Sequence, residues 1–146
     1  MTEVVVALYA PEHLKALKLQ PAQAFCGSQI TAEVLEGLQD VEAYTALIDG
    51  EPIAIAGLIE LWPGRAMAWS FLGEKAGPHM LALTRVIGRF LKMCEHARIE
   101  AYVDPTFEAG HRWMELLGFE RETPGAMRRF TPDGRDQTLY ARVKHG

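Results

Sequence analysis

The segment from residue 73 to residue 79, Gly-Glu-Lys-Ala-Gly-Pro-His, contains residue types that could hold an anion. It precedes the longest predicted helix, and the unpaired N–H groups and dipole at a helix N-terminus favour negative charge. Two glycines and Lys75 suit such a loop, whereas Pro78 lacks an N–H group and Glu74 would repel a phosphate. The segment could therefore hold an anion, or it could be an ordinary turn from strand to helix.

Basic side chains recur along one face of the helix that follows. Arg85, Arg89, Lys92 and His96 are spaced so that they share one side of a helix. This stripe could contact a phosphate or an acidic partner. It could equally be the solvated face of an amphipathic helix, so both interpretations stay open.

Hydrophobic periodicity and turn residues predict the strands and helices that must position these side chains. The predicted strands are Val4–Tyr9, Ala43–Ile48, Pro52–Leu61, Arg65–Leu72, Ile99–Val103 and Gln137–Val143. Residues Phe119–Phe130 are expected to form a strand or a pair of short segments, interrupted at Pro124-Gly125. The predicted helices are Pro11–Leu19, Ala32–Leu38, Pro78–Ala97 and Pro105–Leu117. This order predicts an α/β or α+β fold with a sheet of mixed strand directions.

Local signals mark several of these boundaries. The pair Asp49-Gly50 predicts a hairpin turn. Thr31 and Asp104 are the expected N-caps of the second and fourth helices, and Gly118 is the expected stop of the fourth. The first strand is expected to be buried on both faces, because it is apolar and β-branched.

Composition favours one globular domain over residues 1–146. The net charge of −4 does not favour nucleic acid as a partner. Residues 1–84 hold 4 of the 15 basic and 10 of the 19 acidic residues, which leaves 11 basic and 9 acidic residues for residues 85–146. The charge of this second part is therefore compatible with a local anion site. Cys26 and Cys94 are expected to be buried thiols, and no metal site is expected. With neither a basic signal region nor a membrane-spanning run, a cytoplasmic location is expected.

The order of elements resembles the GNAT acyltransferase fold over essentially the whole chain. Its most specific parts are Leu117-Gly118-Phe119-Glu120 after a short helix, and Pro52–Gly57 after the predicted hairpin turn. The resemblance implies a mixed central sheet of about seven strands flanked by about four helices. It also implies transfer of an acyl group, usually acetyl, from acyl-CoA to an amine, with acetyl-CoA in a V between the fourth and fifth strands. The resemblance further implies that the pyrophosphate of acetyl-CoA lies on backbone N–H groups of the segment at residues 73–79.

The resemblance further implies positions for the site. The expected cofactor-binding residues are Phe71, Leu72, Gly73, Lys75, Gly77, His79, Asp104 and Arg112. Backbone N–H groups near Ser70 to Leu72 are expected to bind the oxyanion. Glu60 and His79 are the expected candidates for the base that takes a proton from the amine. Alternatively, Glu60 is a solvated acid at a strand end and His79 is a first-turn helix residue.

The sequence departs from the GNAT pattern at two places. Met114 stands where many members have a proton-donating tyrosine, and residues 75–80 do not match the usual loop pattern in register. Tyr102 and Tyr140 could replace the acid or could be buried sheet residues. Three large side chains of the fourth strand could wall a groove for the pantetheine arm or pack in the core: Met67, Trp69 and Phe71.

The segment from Pro52 to the C-terminus is also similar to small GNAT-like proteins of short-tailed phages, which are linked to internal virion protein assembly. The similar features include the strand around Trp69-Phe71, the His111-Arg112-Trp113 helix and the turn at residues 131–134. This similarity implies an alternative, a catalytically inactive accessory protein in the host cytoplasm with a virion or host protein as partner. Exposed edge strands near the C-terminus also suggest a homodimer.

Overall fold

The computed structural model describes residues 3–20 and 32–144. Within these ranges the chain forms seven strands and four α-helices: β1 (Val5–Leu8), α1 (Pro11–Ala16), α2 (Ala32–Gly37), β2 (Glu42–Ile48), β3 (Glu51–Trp62), β4 (Arg65–Leu72), α3 (Met80–Met93), β5 (Arg98–Val103), α4 (Glu108–Leu116), β6 (Glu120–Arg121) and β7 (Thr138–Val143). The strands form a mixed sheet in the order β1-β2-β3-β4-β5-β7-β6. The predicted fold class is confirmed.

The chain divides into two compact units, Met1–Ile59 with Ala68–Leu83, and Glu60–Met67 with Thr84–Gly146. The single domain expected from composition stays a prediction. The predicted cap Thr31 and the thiol of Cys26 lie outside the described residues. Cys94 is a free thiol, and it is half-buried rather than buried as expected.

In the first unit, β1, β2 and β3 form an antiparallel meander. Asp49 and Gly50 connect β2 to β3 with φ angles of 50° and 78°. Positive φ at both central residues is the geometry of the type I′ turn, which suits the twist of a two-residue hairpin. The predicted hairpin is therefore confirmed.

The expected burial of the first strand on both faces is wrong. Val5 is 58% exposed and Leu8 is 76% exposed. Among the described residues β1 pairs with β2 alone and forms one edge of the sheet. A short apolar, β-branched run reads the same in an edge strand as in a central strand, so the sequence could not distinguish the two.

The core of the first unit is an apolar cluster between its strands and its two short helices. Its buried members are Tyr9, Leu14, Leu17, Ala43 and Ile55, and its partly buried members include Leu35, Leu38, Trp69 and Phe71. The Trp69 and Phe71 ring centroids lie 5.8 Å apart. These two aromatic side chains therefore pack in the core, as one of the two sequence interpretations proposed.

Gly73, directly after β4, lies where two backbone segments approach closely. A Cβ atom there would lie 2.7 Å from Leu17 Cδ1 and 2.9 Å from the carbonyl oxygen of Ile53. Both distances are shorter than real Cβ contacts, so only glycine fits without a shift of the neighbours. Gly77 is the opposite case, because a Cβ atom there would meet no atom within 4 Å.

In the second unit, the C-terminus of α4 follows the prediction and its N-terminus does not. Gly118 has φ of +86°, and the N–H of Phe119 donates to Met114 O at 2.9 Å, so the glycine stop is confirmed. Asp104 is not the N-cap, because α4 begins at Glu108. The Asp104 carboxylate instead accepts the N–H of Thr106 at 2.9 Å. An aspartate before proline caps a local turn as readily as a helix.

Three other predicted elements are shorter in the structure. α3 ends at Met93, so His96 lies beyond the helix and the predicted basic stripe keeps Arg85, Arg89 and Lys92. α1 ends at Ala16. β6 covers Glu120–Arg121, so residues 119–130 do not form one continuous strand.

A buried carboxylate links β4 and β5 where these parallel strands pair. The Glu100 side chain is 2% exposed and accepts hydrogen bonds from Arg65 Nη2 at 2.9 Å and Arg98 Nε at 2.7 Å. Tyr102 donates its hydroxyl to the same carboxylate at 3.2 Å, and Arg98 also pairs with Glu122. The hydrogen bond from Arg65, followed by that from Arg98, lowers the pKa of Glu100 to about 2 despite its burial.

We expect Glu100→Gln to lower the free energy of unfolding by roughly 3–5 kcal/mol, because it leaves Arg65 and Arg98 without their shared counter-charge. Urea denaturation measures the change. Glu122→Gln is the matched control. Its side chain is 41% exposed and pairs with Arg98, so its loss should cost about 1 kcal/mol or less. Equal losses in both variants would contradict a dominant role for Glu100.

The pKa of Glu100 also predicts how stability depends on pH. Its folded-state pKa of about 2 lies below the ordinary value of 4.5. The resulting stabilisation is therefore complete above pH 4.5 and lost as the pH falls toward 2. Denaturation midpoints across this range should fall less steeply for Glu100→Gln than for the native chain. Parallel slopes would show that other carboxylates control acid unfolding.

The close approach at Gly73 predicts that Gly73→Ala destabilises the protein by about 1–3 kcal/mol through overpacking. Gly77→Ala is the control, since its new methyl group has open space. Thermal unfolding of both variants measures the difference. Equal midpoints would mean that the contacts of Gly73 with Leu17 and Ile53 relax without cost.

Candidate functional site

The predicted site begins where the pairing between β4 and β5 ends. The parallel register runs from Arg65↔Arg98 to Met67↔Glu100. β4 continues to Leu72 and β5 continues to Val103. The two strands are thus longer than the stretch over which they pair.

The segment expected to hold the pyrophosphate is a 3-10 helix, Glu74–His79, preceded by Gly73 in an extended conformation. Pro78 has no N–H group. Backbone carbonyls already accept four of the N–H groups in and beside this segment: those of Gly73, Glu74, Ala76 and Met80. In this arrangement the segment therefore offers fewer donors to a phosphate than its glycine content suggested.

The side chains of this segment differ in how freely they could reach a ligand. Lys75 Nζ lies 2.9 Å from Glu51 Oε1 in a solvent-exposed ion pair. Gly77 is exposed, and His79 is half-buried at the end of the 3-10 helix. One continuous stretch of the first unit holds six of the predicted cofactor-binding residues: Phe71, Leu72, Gly73, Lys75, Gly77 and His79.

The remaining predicted residues lie in the second unit. Glu60, near the end of β3, has a side chain that is 57% exposed, and one of its carboxylate oxygens is 4.0 Å from His96 Nδ1. Arg112 is exposed on α4. Asp104 follows β5 and also accepts a hydrogen bond from Arg135 Nη2 at 3.2 Å. Hydrogen bonds from the hydroxyl and N–H of Thr106 lower the pKa of Asp104, so this carboxylate is ionised at neutral pH.

Sequence reasoning missed a partly buried polar pair at the end of β5. His111 Nε2 lies 3.1 Å from the carbonyl oxygens of Asp104 and Pro105, and His111 Nδ1 lies 2.7 Å from the hydroxyl of Tyr140. Carbonyl oxygens only accept, so Nε2 carries the proton, and in the neutral ring Nδ1 accepts the Tyr140 hydroxyl. The pair joins α4, β7 and the turn after β5. A single histidine in a helix gives no sequence signal for such a contact.

The candidates for a replacement acid are both engaged. The Tyr140 hydroxyl faces His111, and the side chain is buried. Tyr102 donates to Glu100, and burial, followed by the negative charge of Glu100, raises the pKa of Tyr102. Met114 is buried in the core. Both tyrosine hydroxyls are therefore engaged within the chain, and the side chain at position 114 has no hydroxyl group.

Neither a metal centre nor a membrane-spanning helix is found in the part of the chain that the structure describes. There, no group of three or more His, Cys, Asp or Glu side chains is arranged to hold a metal ion. No helix in the same ranges is both long and apolar enough to cross a membrane.

Comparison with known proteins gives matches among solved structures. No protein-family profile matches the chain, and no curated protein does. Ard1 from Thermoplasma volcanium is 12% identical, with a TM-score of 0.78 over 98% of this chain and 99% of that one. A GNAT-family acetyltransferase from Bacillus anthracis is 15% identical, with a TM-score of 0.68 over 98% of both chains. The aminoglycoside acetyltransferase AAC(6')-Ib, solved in complex with coenzyme A, is 21% identical, with a TM-score of 0.69 over 97% of this chain and 95% of that one. The chain therefore has the GNAT acetyltransferase fold over nearly its whole length.

Proposed function

We propose that this protein is a GNAT-type acyltransferase that transfers an acyl group, usually acetyl, from acyl-CoA to an amine. The observation that supports this most is the similarity to acetyltransferase structures across at least 97% of the chain, one of them solved with coenzyme A. The likeness includes all the strands from which such a site would be built. Fold alone does not select a function, so the residues of the site carry the rest of the argument.

The extended arm of an acyl-CoA suits the end of β4. Five residues, Ala68–Leu72, follow the last β4 residue that pairs with β5. An extended ligand can add to a strand edge through main-chain hydrogen bonds. The diphosphate suits the 73–80 segment less well, because backbone carbonyls hold several of its N–H groups. Binding of the whole molecule therefore requires this segment to rearrange.

The chemistry asks little of the chain beyond positioning. Acyl-CoA would supply a thioester carbon for the amine to attack and a thiolate that leaves. We propose that His79 or Glu60 takes the proton that the amine loses. The cofactor contacts proposed from the fold are Phe71, Leu72, Gly73, Lys75, Gly77, His79, Asp104 and Arg112. Met114 has no proton to give, so the proposal relies on the thiolate leaving without a tyrosine acid.

A second candidate function is a catalytically inactive phage or prophage accessory protein with a virion or host protein as partner. Two observations favour it. Backbone carbonyls accept four of the N–H groups in the 73–80 segment, and Met114 occupies the position of the usual acid. A protein that binds no cofactor and catalyses no reaction would need neither free N–H groups in this segment nor a tyrosine at position 114. Homodimerisation is compatible with both candidates.

Titration of acetyl-CoA and free CoA into the protein, followed by calorimetry, tests the choice. If the protein is an acyltransferase, we expect a Kd between about 1 μM and 1 mM, the usual range for enzyme substrates. Gly77→Glu should weaken binding at least tenfold, roughly 1.4 kcal/mol, because it places a carboxylate near the diphosphate. Gly77→Gln is the control, since it has nearly the same shape without the charge, and open space surrounds this position.

The two candidate functions predict opposite results in this titration. Binding that Gly77→Glu weakens and Gly77→Gln preserves would support the cofactor role of the 73–79 segment and justify a screen of amine acceptors. No heat with either ligand at about 1 mM would contradict the acyltransferase and favour the accessory protein.

A further inference from the structure

Three residues that follow α1 run beside the carboxyl end of β4. The N–H of Gln20 donates to the carbonyl of Leu72 at 2.8 Å. The N–H of Glu74 donates to the carbonyl of Lys18 at 2.7 Å. We call Lys18–Gln20 the strap. These two hydrogen bonds make it a short antiparallel addition to β4.

The strap occupies a particular edge of β4. Gly73, which forms an antiparallel bridge with Leu19 of the strap, donates its own N–H to Ile53 of β3 at 2.8 Å. β3 thus holds one edge of β4 at this end, and the strap holds the other. Since the neighbours of β4 in the sheet are β3 and β5, the strap lies on the edge that pairs with β5 at the opposite end of β4.

The packing of the first unit holds the strap in place. Leu17, directly before it, is buried, and Leu19 packs against the apolar cluster. Gly73 leaves room for Leu17, whose Cδ1 would lie 2.7 Å from a Cβ atom at this position. The strap is therefore a packed part of the unit with an apolar anchor on each side of Lys18.

The strap uses the main-chain groups that an extended ligand would need at this end of β4. While it is paired, neither the Leu72 carbonyl nor the Glu74 N–H can bind another partner in the same plane. We propose that the strap is an autoinhibitory contact, which covers the end of the β4 edge and must leave before the arm and diphosphate of an acyl-CoA can lie from β4 to the 73–79 segment. This inference rests on the proposed function.

Gln20→Pro tests the strap directly. Proline removes the N–H that bonds to Leu72, and it keeps the preceding Leu19 extended. Gln20→Ala is the matched control, because it removes the same side chain and keeps the N–H group. If binding requires the open state, the apparent Kd varies inversely with the population of that state. Loss of one hydrogen bond should then tighten acetyl-CoA binding by about two- to tenfold relative to Gln20→Ala.

Hydrogen exchange of the Glu74 amide gives a second reading without any ligand. We expect this amide to be protected in the native chain and in Gln20→Ala, and to exchange several-fold faster in Gln20→Pro. Circular dichroism establishes that the variants are folded. Leu19→Ser replaces Gln20→Pro if the proline variant does not fold, since it removes an apolar anchor of the strap and leaves its backbone donors intact.

The outcomes separate this inference from the proposed function. Tighter binding by Gln20→Pro than by Gln20→Ala, with faster exchange at Glu74, would support both. Equal or weaker binding by Gln20→Pro would overturn the strap as an inhibitor and leave the acyltransferase standing. Absence of acetyl-CoA binding in the native chain and in every variant would overturn both.

Discussion

The carboxylate of Glu100 is the constraint on which the second unit depends. It is buried between two guanidinium groups, those of Arg65 on β4 and Arg98 on β5. The parallel pairing of β4 with β5 covers three residue pairs, which is a short ladder for two central strands. Charge-assisted hydrogen bonds to one shared carboxylate strengthen the sheet at this point. Arg65, Arg98 and Glu100 all belong to the paired stretch at the amino ends of the two strands. Their hydrogen bonds therefore join β4 to β5 at these ends, and the carboxyl ends of the strands make other contacts.

The need of main-chain N–H and carbonyl groups for hydrogen-bond partners explains the structure at the carboxyl end of β4. A buried N–H or carbonyl without a partner costs about 1–3 kcal/mol. A strand that extends beyond its neighbour therefore needs another source of hydrogen bonds. Here the chain supplies that source itself through Lys18–Gln20. The same rule accounts for the 3-10 helix after β4, where the N–H of Ala76 donates to the Gly73 carbonyl and the N–H of Met80 donates to the Gly77 carbonyl. A cofactor that used these groups would compete with the folded chain for them, rather than fill an open cradle.

Local rules predicted the elements that local chemistry controls. The turn at Asp49-Gly50, the bounds of β4 and the stop at Gly118 each depend on a few adjacent residues, and each is confirmed. The predictions failed where burial or a competing turn decides, as at the exposed edge strand β1 and at Asp104. The strap and the burial of the Glu100 carboxylate between two arginines could not be predicted, since both depend on residues far apart in sequence. In the letters Arg-Ile-Glu-Ala-Tyr-Val, Glu100 looks like any outward-facing strand residue.

The two candidate functions differ in how permanent the strap is, and its strength bears on that difference. Two neutral hydrogen bonds contribute about 0.5–1.5 kcal/mol each, or roughly 1–3 kcal/mol together. Micromolar binding releases about 8 kcal/mol. A ligand of that affinity could displace the strap and still bind, with a loss of about five- to 150-fold in affinity. The paired strap therefore does not by itself exclude an acyl-CoA, because its hydrogen bonds are weak beside the binding energy such a ligand commonly brings. An inactive scaffold would need a stronger obstacle, such as side chains that fill the path of the arm along β4. In the first unit, Trp69 and Phe71 instead pack into the apolar cluster with α1 and α2, where they support the strand.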